Sequence, residues 1–174
     1  MVAPHRSALL LAVVAASLAI STTACKSAAD RAREKAEEKA IEQQTGGQVT
    51  IDDKQGTMTL VNDAGTVTMG AGAKIPADFP KSVPVYPGAT TDLASRQSNP
   101  QGKPAWSLTL ETGDAKDKVV AYYKANLADF KVASDMDMGE AHMSVWQNAQ
   151  YDLTLMISEG SDKKTAITIS VGGR

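Results

Sequence analysis

The sequence predicts an α+β protein with an N-terminal stalk helix and a small β-meander, followed by an antiparallel sheet with one packed helix. Three observations predict this class. Residues 27–44 are dominated by Ala, Glu, Lys and Arg, which favour a helix. From Gln48 the apolar residues recur with a period of two, which indicates β-strands. In residues 89–174, segments with this period stand on both sides of one amphipathic helical segment. About 150 residues after the first segment are enough for one domain with its own core.

Residues 1–24 have the order of a secretory signal peptide. His5 and Arg6 precede an apolar run from Ala8 to Ile20, and small residues lead from there to Cys25. A membrane-spanning helix needs about 20 predominantly apolar residues, and this run is shorter. We therefore expect the segment to be removed on export.

Cys25 is the only cysteine of the chain and the predicted lipidation site. Thr23-Ala24-Cys25 resembles the last three positions of a lipobox, although Thr22 stands where Leu is usual. A single cysteine cannot form an internal disulfide, and attachment of lipid prevents it from remaining a free, reactive thiol in an exported protein. The acyl chains also anchor the protein firmly in a bilayer. Lys26 is compatible with sorting to the outer membrane, so we expect a palmitate-bearing lipoprotein of the bacterial cell envelope that faces the periplasm. The alternative is an ordinary cut before Cys25 that leaves a free thiol.

Residues 25–47 are predicted to form the lipid-anchored helical stalk. No Gly or Pro occurs between Cys25 and Gly46, which favours a helix. The least polar stripe consists of alanines, with Ile41 as its one larger apolar residue, so little surface could be buried there. A helix that binds an envelope partner through this stripe is the alternative, and the lack of Leu or Ile heptads counts against it.

Residues 48–70 are predicted to form the small β-meander, because apolar residues alternate with Thr on both sides of a turn sequence, Asn62-Asp63-Ala64-Gly65. Residues 71–88 follow with four prolines, which disfavour the interior of a sheet. Since Phe79 and Tyr86 lie between these prolines, we expect a connector packed on the next domain and not a free linker.

Residues 89–174 are predicted to form the main α+β domain. Asp114 begins a helix that extends to Asp129 and carries one apolar stripe. The other segments alternate between apolar and polar residues, which indicates an antiparallel sheet with one face under the helix and the other solvated. The predicted strands are 89–96, 105–112, 131–138, 142–148, 151–158 and 165–171.

Residues 75–89 read IPADFPKSVPVYPGA and are followed by a hairpin, a helix, and Met- and Thr-rich strands. This order resembles a group of bacterial lipoproteins that share a Pro-rich F-P-x-x-V-P-x-Y-P-G-A segment. The resemblance covers most of the mature chain and implies a secreted, anchored domain. It implies no activity, because the group has none assigned.

Several classes of function are disfavoured by composition and motifs. The net charge is −2 and basic residues are interspersed with acidic ones, so no nucleic-acid-binding surface is indicated. No Gly-rich phosphate loop or dinucleotide fingerprint occurs. A hydrolytic triad would have to combine His142 with Ser134 or Ser144. Asp135 or Asp137 would orient the histidine, but no strained nucleophile turn supports this arrangement. We therefore expect no enzyme, no catalytic residue and no cofactor.

Residues 135–143 gather thioethers, carboxylates and an imidazole, and soft thioethers suit Cu(I). The candidate metal ligands are Met136, Met138, His142 and Met143. The competing expectation is that these methionines fill the core beneath the helix while the acids face water. The pair Asp52-Asp53 is a weak calcium candidate whose place in a turn explains it equally well.

The sequence thus predicts a non-enzymatic binding or structural module of the cell envelope. Its expected partners are the membrane, through the lipid anchor, and an envelope protein, and nucleic acid is not expected. A Met/His copper-binding envelope protein is the alternative.

Overall fold

The structure is a computed structural model that describes residues 28–174 except residues 100 and 161. The predicted signal peptide and Cys25 lie outside the described residues. Helix α1 spans Ala28–Thr45 and helix α2 spans Lys116–Asn126, and no helix of the described part is long and apolar enough to cross a membrane. The strands are β1 (Gln48–Asp52), β2 (Thr57–Asn62), β3 (Gly65–Met69), β4 (Thr90–Ser98), β5 (Pro104–Thr112), β6 (Lys131–Asp137), β7 (Ala141–Gln147), β8 (Tyr151–Glu159) and β9 (Thr165–Gly173).

The strands of the described residues form one antiparallel sheet in the order β1-β2-β3-β4-β5-β9-β8-β7-β6. This finding corrects the predicted fold class, in which the meander was separate from the main sheet. β3 pairs directly with β4, for example through Met69 and Leu93. The connector leaves the sheet after β3 and returns to the neighbouring strand, where the backbone N–H of Gly70 donates to the carbonyl of Asp92 at 2.8 Å. The Pro-rich connector therefore lies outside the sheet, and the strands before and after it pair directly with each other.

Helix α1 is also not the free stalk that the sequence predicted, because it lies along the outer edge of β1. The backbone N–H groups of Val49 and Ile51 donate to the Oε1 atoms of Glu42 and Glu38, at 3.2 and 3.3 Å. Four residues of a helix rise about 6 Å and two residues of a strand rise about 6.8 Å, so the two spacings match. The glutamates thereby occupy donors that an open edge strand offers to other chains.

One face of the sheet, here called the helix face, packs against α2. Successive side chains of a strand point to opposite faces, and the alternate apolar residues of β5, β8 and β9 all lie on this one. The central residues are at most 1% exposed: Leu108, Leu110, Leu153, Leu155, Ile157, Ile167 and Ile169. From the helix side, Val119, Tyr123 and Leu127 complete this core, also at most 1% exposed.

The Pro-rich connector packs on the same core. Phe79, Val83 and Tyr86 are 9%, 3% and 4% exposed. Two short turns present these side chains, because the N–H groups of Phe79 and Val83 each donate to the carbonyl three residues earlier at 3.0 Å. The Tyr86 hydroxyl donates to Oδ2 of Asp114 at 2.8 Å, just before α2. The connector is therefore part of the folded unit.

Candidate functional site on the open face of the sheet

The face opposite α2, here called the open face, bears a row of directly paired side chains that crosses all nine strands and is apolar on every strand except β5 and β9. Directly paired residues share a face. In strand order the row consists of Ile51, Met58, Met69, Leu93, Thr109, Thr168, Met156, Met143 and Met136. Five of the seven methionines of the chain belong to this methionine row.

At the β6 end of the row, three methionines stand side by side on neighbouring strands. Met136 pairs with Met143, and Met143 pairs with Met156. Met136 and Met156 are 44% and 43% exposed, and Met143 lies half-buried between them. Directly opposed Cβ atoms are about 4.5–5.5 Å apart, so these flexible side chains are able to bring their sulfurs together. We call Met136, Met143 and Met156 the thioether cluster.

The expectation that these methionines fill the core beneath the helix is wrong. Met138, just past the end of β6, is 55% exposed, and the thioether cluster faces away from α2. The acids take the opposite position, because Asp135 and Asp137 alternate with the methionines along β6 and point to the helix face. There they form ion pairs with residues of α2.

His142 lies on the helix face and is 5% exposed. Its Nε2 lies 2.6 Å from Oδ1 of Asp135, although the ring is not aligned for a linear hydrogen bond. The Lys124 ammonium lies 2.6 Å from the other carboxylate oxygen and, together with the imidazole, lowers the pKa of Asp135 below its ordinary value. The sheet itself therefore separates His142 from the three methionine candidates, and the four do not converge on one ion.

A second ion pair links α2 to the β6–β7 turn. Lys116 is 7% exposed, and its Nζ lies 3.4 Å from Oδ1 of Asp137 and donates to the Gly139 carbonyl. The N–H of Gly139 donates to the same carboxylate at 2.9 Å, and this bond and the lysine lower the pKa of Asp137. Sequence reasoning missed these lysines, whose signal was only that they lie outside the apolar stripe of α2.

The residues considered for a hydrolytic triad are not assembled as an open site. Ser144 is 3% exposed on the helix face, and its Oγ accepts a hydrogen bond from Nε1 of Trp146 at 2.9 Å. Ser134 pairs with Val145 on the open face, away from His142. The imidazole and the buried hydroxyl therefore lie beneath α2, where a substrate has no access.

Carboxylate-based metal binding finds no support in the residues that the structure describes. Oδ1 of Asp52 accepts the backbone N–H groups of Lys54 and Gln55 at 3.0 and 3.2 Å, which is an ordinary turn role. Within the described ranges, no group of three or more His, Cys, Asp or Glu side chains is arranged to hold a metal ion.

Two depressions on the protein surface are polar and lie away from the thioether cluster. The larger, of about 350 Å³, is lined by Asn99, Gln101, Lys103, Asp152, Gly172, Gly173 and Arg174. The smaller, of about 210 Å³, is lined by Thr50, Asp52, Gln55, Thr57, Thr59, Thr68, Gly72 and Lys74. Most of the residues that line both depressions are polar or charged, and none of them belongs to the thioether cluster.

Met156 is the cluster residue that sequence reasoning did not include among the ligand candidates. The sequence did indicate an exposed methionine here, because Met156 stands among Asp152, Thr154 and Ser158 on the polar side of an otherwise clearly amphipathic strand. A lone methionine at such a position carries little information by itself. Only the pairing of β8 with β7 shows that it lies next to Met143.

Among known protein families, one described as START domain-like matches residues 91–165. The matched segment comprises less than half of the chain and runs from β4 into the start of β9, including α2. The match implies a helix-grip arrangement, which agrees with the single helix on one face of the sheet and not with a stalk and a separate meander. No curated protein and no solved structure matches the chain. The family match is compatible with a non-enzymatic binding role.

Proposed function

We propose that this protein is a non-enzymatic binding module, held in the bacterial cell envelope by lipid on Cys25, whose ligand binds at the thioether cluster. The observation that carries the proposal is the group of three adjacent methionines, two of them exposed, beside the hydroxyl residues Ser134, Thr154 and Thr168 of the same face. Scattered exposed apolar residues are ordinary, whereas a contiguous group on one face is typical of an interaction site.

The packing of the helix face supports a surface site over an interior one. The central side chains between α2 and the sheet are at most 1% exposed and pack the two layers against each other. A ligand that entered there would have to displace the core. The START-like match supports a ligand-binding module, and the open face is the part of this module that side chains leave accessible.

The chemistry of the cluster supports binding and not catalysis. Thioethers neither donate nor accept protons near neutral pH, and the open-face neighbours Val145, Thr154 and Thr168 do not titrate there either. The imidazole and the carboxylates that could move protons lie on the other face.

The position of the anchor supports an outward-facing site. Cys25 precedes α1, and α1 lies along the β1 edge of the sheet. The thioether cluster lies at the opposite end, on β6 to β8. With neighbouring strands about 4.8 Å apart, about 29–38 Å of sheet lies between β1 and the cluster strands β8 to β6. A lipid on Cys25 would hold the β1 edge near the outer membrane and leave the cluster in the periplasm.

Oxidation footprinting tests this proposal. Envelopes that contain the lipoprotein and the purified, folded lipoprotein are treated with dilute peroxide, and sulfoxide at each methionine is measured by mass spectrometry. We expect Met136 and Met156 to be oxidised more slowly in envelopes than after purification, because a ligand covers them. Met58 and Met69, in the β2–β3 part of the same row, serve as internal controls. Equal oxidation of the cluster in both samples contradicts the proposal.

A further inference from the structure

We propose that the thioether cluster, Met136, Met143 and Met156, is a Cu(I) site. This inference rests on the proposed function and names its ligand. It differs from the metal set expected from the sequence in three residues. His142 is excluded by its place on the other face, and Met138 is left out because it lies past the end of β6 and has no partner in the β6–β7 register. Met156 is included by its pairing with Met143.

The donor set selects the ion. Three uncharged thioethers are soft ligands that suit Cu(I), whereas Ca²⁺ and Mg²⁺ take oxygen ligands. Zn²⁺ is bound by thiolate, imidazole or carboxylate, and none of these groups belongs to the cluster or to its open-face neighbours Val145, Thr154 and Thr168.

The sheet provides a fixed frame for the three sulfurs. Met143 lies on the middle strand, and Met136 and Met156 flank it at the same level on the two adjacent strands. On the opposite face of the same strands, His142 and Ile157 are 5% and 1% exposed, so the backbone beneath the cluster is held by the core. Only the methionine side chains have to adjust for the sulfurs to meet one ion.

The residue type distinguishes a metal site from a plain apolar surface. Leucine has nearly the same volume as methionine and would serve an apolar surface equally well. Substituting leucine at the three positions therefore keeps the apolar character and removes the sulfur ligands. This makes Met136→Leu, Met143→Leu and Met156→Leu the informative variants.

The test uses the full lipoprotein in detergent, under anaerobic conditions, with Cu(I) supplied as its complex with a chromogenic chelator. We expect the wild type to withdraw one Cu(I) per chain, with X-ray absorption showing sulfur ligands alone. Loss of a group that merely supports a metal ligand costs about 10–100-fold in affinity, so each leucine variant should lose at least about tenfold. Met58→Leu and Met69→Leu, in the β2–β3 part of the row, should keep the wild-type affinity. Circular dichroism checks that every variant is folded.

Three results would overturn the inference: no Cu(I) uptake by the folded wild type, coordination that includes nitrogen from His142, or uptake unchanged in the three leucine variants. Methionine oxidation in envelopes shows whether only the Cu(I) assignment is wrong or the proposed binding function as well. If Met136 and Met156 remain protected after a membrane-permeable Cu(I) chelator is added, the cluster binds a different ligand and the binding role stands. If they are never protected, the binding role itself fails.

Discussion

Nε2 of His142 lies 2.6 Å from Oδ1 of Asp135, and Lys124 lies 2.6 Å from the second oxygen of the same carboxylate. One carboxylate thus joins α2, the edge strand β6 and its neighbour β7. Because the imidazole is buried, no water readily replaces this contact. We infer that Asp135 and His142 hold the helix on the β6 end of the sheet, directly behind the thioether cluster.

Asp135→Asn should reduce the acid sensitivity of the fold. The lysine and the imidazole lower the pKa of Asp135 in the folded state below its ordinary value of 3.8. A carboxyl group whose pKa is lowered by folding stabilises the folded state at pH values above its ordinary pKa. This stabilisation is lost as the pH falls through the folded-state pKa. The free energy of unfolding, measured by urea denaturation from about pH 2 to 6, should therefore decline less steeply at its acid end in the variant. Identical acid slopes would show that the contact contributes nothing.

Phe79→Ala should destabilise the whole protein, because Phe79 belongs to the buried core. Truncating a packed phenylalanine typically costs about 3–5 kcal/mol. Lys81→Ala changes an exposed side chain of the same connector and serves as the control. Urea denaturation measures both variants, and an unchanged midpoint for Phe79→Ala would show that the connector is not part of the cooperative unit.

Tyr123→Phe should leave the stability unchanged or raise it. The Tyr123 hydroxyl is buried, its burial raises its pKa, and its contact with the Tyr86 backbone falls short of hydrogen-bond geometry. Tyr86→Phe is the matched comparison, because it removes the 2.8 Å bond to Asp114 and should cost about 0.5–1.5 kcal/mol. Thermal unfolding compares the two variants. A larger loss for Tyr123→Phe than for Tyr86→Phe would reveal a partner for the buried hydroxyl.

Replacing Glu38 and Glu42 together by alanine should open the β1 edge. Their carboxylates accept the N–H groups of Ile51 and Val49, so these two amides should exchange with deuterium faster in the double variant. Glu37→Ala removes an exposed glutamate of the same helix and should change nothing at β1. Exchange followed by NMR reads each amide separately. Equal rates in all three proteins would mean that α1 does not protect this edge.

Cys25→Ala should abolish lipidation. Cells grown with a palmitate analogue should label the wild-type protein and not the variant, because the thiol is the predicted attachment point. The variant should also move from the membrane fraction to the soluble periplasmic fraction. Equal labelling of both proteins would rule out Cys25 as the anchor.

Local structure could be predicted from the sequence because it depends on the period of the apolar residues. The alternation in β8 and β9 and the stripe of α2 placed these elements within a few residues of their observed bounds. The pairing of Met136 with Met143 is also local, because the predicted strands 131–138 and 142–148 are joined by a short turn.

Long-range pairing could not be predicted in the same way. The sequence alone determined the segments of the chain, the amphipathic strands and helix, and the chemical character of each side chain. Only the tertiary structure decided that β3 joins β4 across the Pro-rich connector, that α1 covers the β1 edge, and that Met156 lies beside Met143 while His142 faces α2. The physical reason is that strand register is set by burial across the whole sheet. A shift of one residue moves every side chain of a strand to the other face. The alternation within a single strand does not determine which of the two registers forms.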